Sequence, residues 1–131
     1  MNSTRTILLL EDQALLSWEM EETLREAEIG DPVCITSNSG ALSWLSHNTP
    51  DVAVLDVQVQ DGESTQIAEV LVERGIPFIV HSAYTHDADA IPPVFRRGVW
   101  VPKLSAPHDL LEAMTSCLSQ HDQIARRSTT A

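Results

Sequence analysis

The sequence predicts an α/β domain with a five-stranded parallel sheet, doubly wound, and three observations carry that expectation. Short apolar runs recur without alternation, as in Thr6-Ile7-Leu8-Leu9-Leu10 and Val52-Ala53-Val54-Leu55, and such runs mark strands buried on both faces. Between them lie stretches with helical spacing, and strand–helix alternation specifies parallel strands joined by right-handed crossovers. Two runs also end abruptly on acids, at Glu11-Asp12 and at Asp56. The carboxyl ends of the strands form the ligand-binding edge of an open sheet, so acids placed there are candidate functional groups.

The first strand runs to Leu10, and Leu16, Met20, Leu24 and Ala27 then recur at helical spacing until Gly30-Asp31-Pro32 stops the helix. Val33-Cys34-Ile35-Thr36 is a short second strand. Ser39 is the candidate cap of a helix containing Leu42 and Leu45, which ends before Thr49-Pro50. After the acid-tipped strand from Val52 to Asp56, Ser64 is positioned to cap a helix whose apolar face is Ile67, Val70 and Leu71, ended by Gly75-Ile76-Pro77. Phe78-Ile79-Val80 is the fourth strand, running into His81-Ser82. Pro92-Pro93 prevents an ordinary helix from continuing through the next segment, so the fourth helix is expected to be shortened or irregular. Val99-Trp100-Val101 is the fifth strand, leading to Lys103. Pro107 opens a last helix with Leu110, Met114, Cys117 and His121 on one face. The expected domain covers 1–122, with a polar, frayed tail over 123–131.

A chain of 131 residues, 43% hydrophobic, fits one domain with a single core. No apolar run is long enough to span a membrane and no signal segment opens the chain, so a cytoplasmic protein is expected. Cys34 and Cys117 belong to no Cys-x-x-Cys pair and are expected to be buried thiols rather than a disulfide or metal site. A net charge of −11, with Glu19, Glu21, Glu22, Glu26 and Glu28 crowded together, disfavours direct binding to DNA.

The predicted sheet gathers Glu11, Asp12, Asp56, Ser82 and Lys103, the chain's one lysine, on a single edge. At ~4 Å and an effective dielectric near ~20, each pair of like charges costs on the order of 4 kcal/mol. Three ionised acids therefore need a cation. A hard divalent ion with oxygen ligands suits them, and Mg²⁺ is the usual choice where a few carboxylates and waters share the ion with a phosphoryl group.

Adjacent acids after the first strand, an aspartate ending the third, a serine ending the fourth and a lysine after the fifth form a five-point pattern. In this order the chain resembles, over nearly its full length, the receiver domain of bacterial two-component response regulators, of the stand-alone type, whose fold is flavodoxin-like. The resemblance implies that Asp56 accepts a phosphoryl group from a histidine kinase or phosphotransfer protein. It further implies that Glu11, Asp12, Asp56 and the backbone carbonyl of Gln58 hold Mg²⁺, that Ser82 and Lys103 contact the phosphoryl oxygens, and that Trp100 is the aromatic switch residue. Signalling would pass through contacts with a downstream protein target in a phosphorelay. Such a protein is not an enzyme in the ordinary sense, although it catalyses its own phosphorylation and dephosphorylation.

Three departures from the family pattern stand out. The loop after Asp56 is short and lacks proline, Pro92-Pro93 interrupts the fourth helix, and Leu104 replaces the proline that usually follows the lysine. A trans peptide bond is therefore expected between Lys103 and Leu104, because cis costs about 2.5–4 kcal/mol without proline. His81 alternates with Ser82 and is expected to be a packed histidine, and Trp18 and Trp44 are expected in the core. Two other readings fit part of the sequence. An aspartyl-nucleophile phosphatase would need a second acid two residues after Asp56, where the chain has Gln58. A degenerate receiver that only binds partners would not need the complete set of site residues.

Overall fold

The computed structural model describes residues 5–82, 91–103 and 106–129. Among them, β1 (Thr6–Leu10), β2 (Asp31–Ile35), β3 (Val52–Leu55), β6 (Phe78–Ser82) and β7 (Val99–Pro102) form one sheet in the order β2-β1-β3-β6-β7. Every pairing in it is parallel. A second, two-stranded antiparallel hairpin, β4 (Gln58–Val59) with β5 (Gly62–Glu63), follows β3 directly.

Strand geometry splits the apolar runs between two cores, because successive side chains point to opposite faces. Leu8, Leu10, Ala53, Leu55, Phe78 and Val80 face α2 (Asn38–Leu45) and α3 (Thr65–Glu73), which contribute Ala41, Leu45, Ile67, Ala68 and Leu71. Ile7, Leu9, Val52, Val54 and Ile79 face the other way, toward Met20 and Leu24 of α1 (Ala14–Glu26) and Met114, Cys117 and Leu118 of α4 (Pro107–Thr129). Burying one such side chain fully contributes about 1.5–3 kcal/mol, so the sandwiched sheet is the main source of stability.

The helix ends show which local rules prevail. α1 stops before Gly30: Glu28 takes φ 54°, the Glu28 N–H bonds the Arg25 carbonyl, and the Ile29 N–H bonds the Leu24 carbonyl. This is the paired-carbonyl ending usually made with glycine, and burial of Ile29 beside Leu24 offsets the cost of the left-handed residue. The same ending closes α3, with Gly75 at φ 71° and the Ile76 N–H on the Leu71 carbonyl, as the sequence predicts. Ser37, not Ser39, caps α2, its hydroxyl accepting from the Gly40 N–H at 3.0 Å. Ser64 precedes α3 but makes no side-chain cap.

Two other expectations need correction. Trp18 is 58% exposed, because it stands two positions from buried Met20 and so about 200° around the helix. Cys34 is exposed on the outer strand β2, its thiol 2.9 Å from Glu21 Oε2, while Cys117 is buried as expected. Trp44 packs partly buried against the core.

After Pro92 the chain makes a 3₁₀ helix over Pro93–Arg97 that seats Phe95 in the core, so this part of the fourth helical segment is irregular as expected. Proline at the first position of that turn is compatible with its geometry, since no donor is needed there. Residues 83–90 and the Lys103–Leu104 bond lie outside the described residues. α4 continues to Thr129, past the boundary at 122 where a frayed tail was expected. No helix among the described residues is long and apolar enough to cross a membrane.

Candidate functional site

Parallel pairing carries the site residues to one edge and then fixes their backbones. The ladder continues one step beyond the strands: the Glu11 N–H bonds the Ile35 carbonyl, the Asp56 N–H bonds the Leu10 carbonyl, and the Lys103 N–H bonds the Ser82 carbonyl, at 3.0, 3.0 and 3.1 Å. Glu11, Asp56 and Ser82 are buried at 1%, 6% and 2% exposure. Carboxylates that dry are not surface charges, and they persist only with compensation.

Lys103 supplies it. Its ammonium lies 2.8 Å from Asp56 Oδ2 and 3.2 and 3.3 Å from the two oxygens of Glu11. Glu11 Oε2 also accepts the Gln13 N–H at 3.0 Å, and Asp56 Oδ1 accepts the Gln58 N–H at 3.3 Å. The two acids respond oppositely. Burial raises the pKa of Glu11, but His81, the Gln13 N–H and Lys103 outweigh it and hold the carboxyl below its ordinary value. Burial, with the Glu11 charge adding to it, pushes Asp56 up in spite of Lys103. Burial also acts to lower Lys103, yet its two acids raise it, so it stays a cation.

Asp12 completes an acidic cluster, since a carboxylate oxygen from each of Glu11, Asp12 and Asp56 lies within 4.8 Å of the others. Oxygen-only donors, one of them the buried Glu11 Oε1 that accepts no aligned hydrogen bond from the described residues, fit a hard divalent cation. Gln58 stands at the start of β4 with an exposed side chain, so any role in a metal site falls to its backbone.

The loop after Asp56 is folded rather than open. The Ser64 hydroxyl, 0% exposed, donates to the Asp56 carbonyl at 2.6 Å, and the Ser64 N–H bonds the Val57 carbonyl. Across the hairpin, the Asp61 carboxylate accepts the N–H groups of Asn38 and Ser39 at 2.7 and 3.1 Å, which holds its pKa down. The Asn38 amide in turn donates to the carbonyls of Gly62 and Glu63 at 3.1 and 3.0 Å. Gly62, at φ 116°, provides the backbone turn that β-carbon residues resist.

Glu11, Asp12, Asp56 and Lys103 thus come together as the sequence predicts, with the Ser82 backbone beside them. Trp100 is half-buried on β7 and packs against the core under α2 and α3. Sequence reasoning did not anticipate Ser64 as a clamp on the Asp56 backbone, nor the neighbour of His81. His81 is buried as expected, but its Nδ1 lies 3.8 Å from Glu11 Oε1. β1 and β6 flank β3 on opposite sides, about 10 Å apart, and the extra methylene of Glu11 over aspartate was the available signal that its carboxylate reaches across.

No protein-family model and no curated protein matches the chain. Solved structures do. The response regulator receiver domain protein from Methanospirillum hungatei JF-1 superposes with a TM-score of 0.78 at 21% identity, over 92% of this chain and 98% of that one. The N-terminal domain of a response regulator/sensory box/GGDEF three-domain protein from Carboxydothermus hydrogenoformans gives 0.80 at 18% identity, over 92% and 99%. SdrG from Sphingomonas melonis Fr1 gives 0.73 at 28% identity, over 90% and 99%.

Proposed function

We propose, for a chain that has the fold of response-regulator receiver domains, that Asp56 accepts a phosphoryl group from a phosphohistidine of a histidine kinase or phosphotransfer protein. The observation that carries this reading is the chain's one lysine placed 2.8 Å from an aspartate of raised pKa at the strand-end edge of the sheet. A carboxylate oxygen of Asp56 attacks phosphorus in line, the phosphorus–nitrogen bond breaks, and the electron pair and a proton end on the donor imidazole. The product is an acyl phosphate.

Phosphoryl transfer asks a protein mainly for positioning and charge compensation. The Leu10 carbonyl and the Ser64 hydroxyl fix the Asp56 backbone. Lys103 would move onto a phosphoryl oxygen, and the Ser82 hydroxyl would donate to another. Glu11, Asp12, Asp56 and the Gln58 carbonyl would hold Mg²⁺, whose chemistry when bound is to neutralise charge on the phosphoryl oxygens. The same residues would position water for autodephosphorylation. Trp100 would couple the site to the surface read by a downstream target, and the protein would act in the cytoplasm.

Intact-mass measurement after incubation with acetyl phosphate and MgCl₂ tests the assignment. One phosphoryl group is expected on the wild type and none on Asp56→Asn or with excess chelator. Equal phosphorylation of Asp56→Asn would overturn it.

A further inference from the structure

We infer that His81 is a positioning residue for Glu11: when Lys103 leaves Glu11 for a phosphoryl group, His81 Nδ1–H closes on Glu11 Oε1 and holds that carboxylate for the metal. The inference rests on the phosphoacceptor reading above and concerns a residue outside the five-point pattern.

Four features of the site lead to it. First, His81 and Glu11 are 6% and 1% exposed, and Nδ1 and Oε1 face one another at 3.8 Å. Among the described residues neither atom has an aligned hydrogen-bond partner. Buried polar atoms are seldom left without an aligned bond, and with Lys103 only ion-paired to Oε1 at 3.2 Å, the His81 donor facing that oxygen at 3.8 Å is a bond not yet made. Second, Glu11 is occupied in the present state. The Lys103 ammonium spans both its oxygens while also holding Asp56. An ammonium that turns to phosphoryl oxygens gives up Glu11, which among the described residues then keeps the aligned hydrogen bond of the Gln13 N–H.

Third, there is room for the exchange. A cavity of about 110 Å³ between α1 and α4 is lined by His81 and Lys103, with Glu19, Met20 and Leu110 among its other walls. Closing 3.8 Å to bonding distance takes a shift of under about 1 Å. Fourth, the chemistry fixes the tautomer. Ionised Glu11 only accepts, so a neutral His81 must carry its proton on Nδ1. Outer-shell partners of this kind orient metal-ligating carboxylates.

The experiment uses the full chain labelled with ¹⁵N-histidine, MgCl₂ as the metal and beryllofluoride as the phosphoryl probe. Long-range ¹H–¹⁵N spectra are expected to show His81 protonated at Nδ1, with that proton moving downfield when beryllofluoride binds. Beryllofluoride binding with Nδ1 bare would overturn the inference while leaving the phosphoacceptor reading intact; failure of beryllofluoride to bind at all would overturn both. Calorimetry with MgCl₂ supplies the second measurement. His81→Asn places an amide nitrogen near the position of Nδ1, and His81→Gln places one near Nε2. His81→Asn is expected to keep the Mg²⁺ affinity, whereas His81→Gln and His81→Leu lose about tenfold, the lower end for outer-shell partners. Equal losses in all three would show a merely steric role and overturn the inference.

Discussion

The ammonium of Lys103 sits between two buried carboxylates, 2.8 Å from Asp56 and 3.2 Å from Glu11. One positive charge thus serves two acids, which leaves the site a net anion whose cost the fold carries. Lys103→Ala removes the compensation and is expected to destabilise the protein by about 3 kcal/mol at pH 7, as when one partner of a buried pair is deleted. Urea unfolding should show most of this recovered by MgCl₂, because a divalent ion replaces the missing charge. A loss indifferent to Mg²⁺ would mean that the acids do not form a cation site.

Asp56 carries the opposite signature. Its raised pKa means that the native state binds its proton more tightly than the unfolded chain does. Stability therefore falls as pH rises from the ordinary aspartate value through the raised one. Asp56→Asn escapes this cost. It should melt a few degrees higher than the wild type at pH 7, roughly 1 kcal/mol for a domain of this size, and the advantage should vanish on acidification below pH ~4. Glu11 pulls the other way, since a lowered pKa contributes stability above its ordinary value that is lost as pH falls. Melting curves of both proteins against pH separate the two.

Asn38 ties the start of α2 to the hairpin that follows Asp56, through two carbonyls at 3.1 and 3.0 Å. Asn38→Ala is expected to cost about 1 kcal/mol in urea unfolding, with the two bonds partly replaced by water. Calorimetry should also show weaker Mg²⁺ binding, because the Gln58 backbone would no longer be held. Unchanged Mg²⁺ affinity would separate the hairpin from the metal site.

Phe95 enters the core, 0% exposed, from a 3₁₀ turn rather than a full helix. Phe95→Ala should cost about 3–5 kcal/mol by leaving a cavity under α3. A much smaller loss in urea unfolding would show that the turn collapses onto α3 to fill it.

The parallel sheet was legible because its central strands β1, β3 and β6 are buried on both faces, which forces unbroken apolar runs such as Leu8-Leu9-Leu10. Glu11, Asp56 and Lys103 were legible because each follows its strand immediately, so topology alone brings them together. The rest depends on side-chain reach. Ser64 has the residue type of a cap and the position of one, yet its hydroxyl satisfies the Asp56 carbonyl, a choice that requires the folded loop to be known. Local pattern equally could not show that Glu28 would accept a left-handed conformation, since burial of Ile29 offsets it. His81 was read correctly as packed, but its meeting with Glu11 spans two inter-strand gaps that no short-range pattern records.

Lys103 arrives at the acids from β7, an outer strand paired on one side only by β6. Its contact with Glu11 closes a span of 92 positions, and contacts between such distant segments pay their loop-closure entropy before any reward. Glu11 and Asp56 are brought together by the direct pairing of β1 with β3, and Lys103 reaches Asp56 across 47 positions. The lysine therefore ties the outermost strand of the sheet to its centre by charge as well as by backbone pairing, so that the acids act as a clasp on an edge the ladder alone would hold from one side.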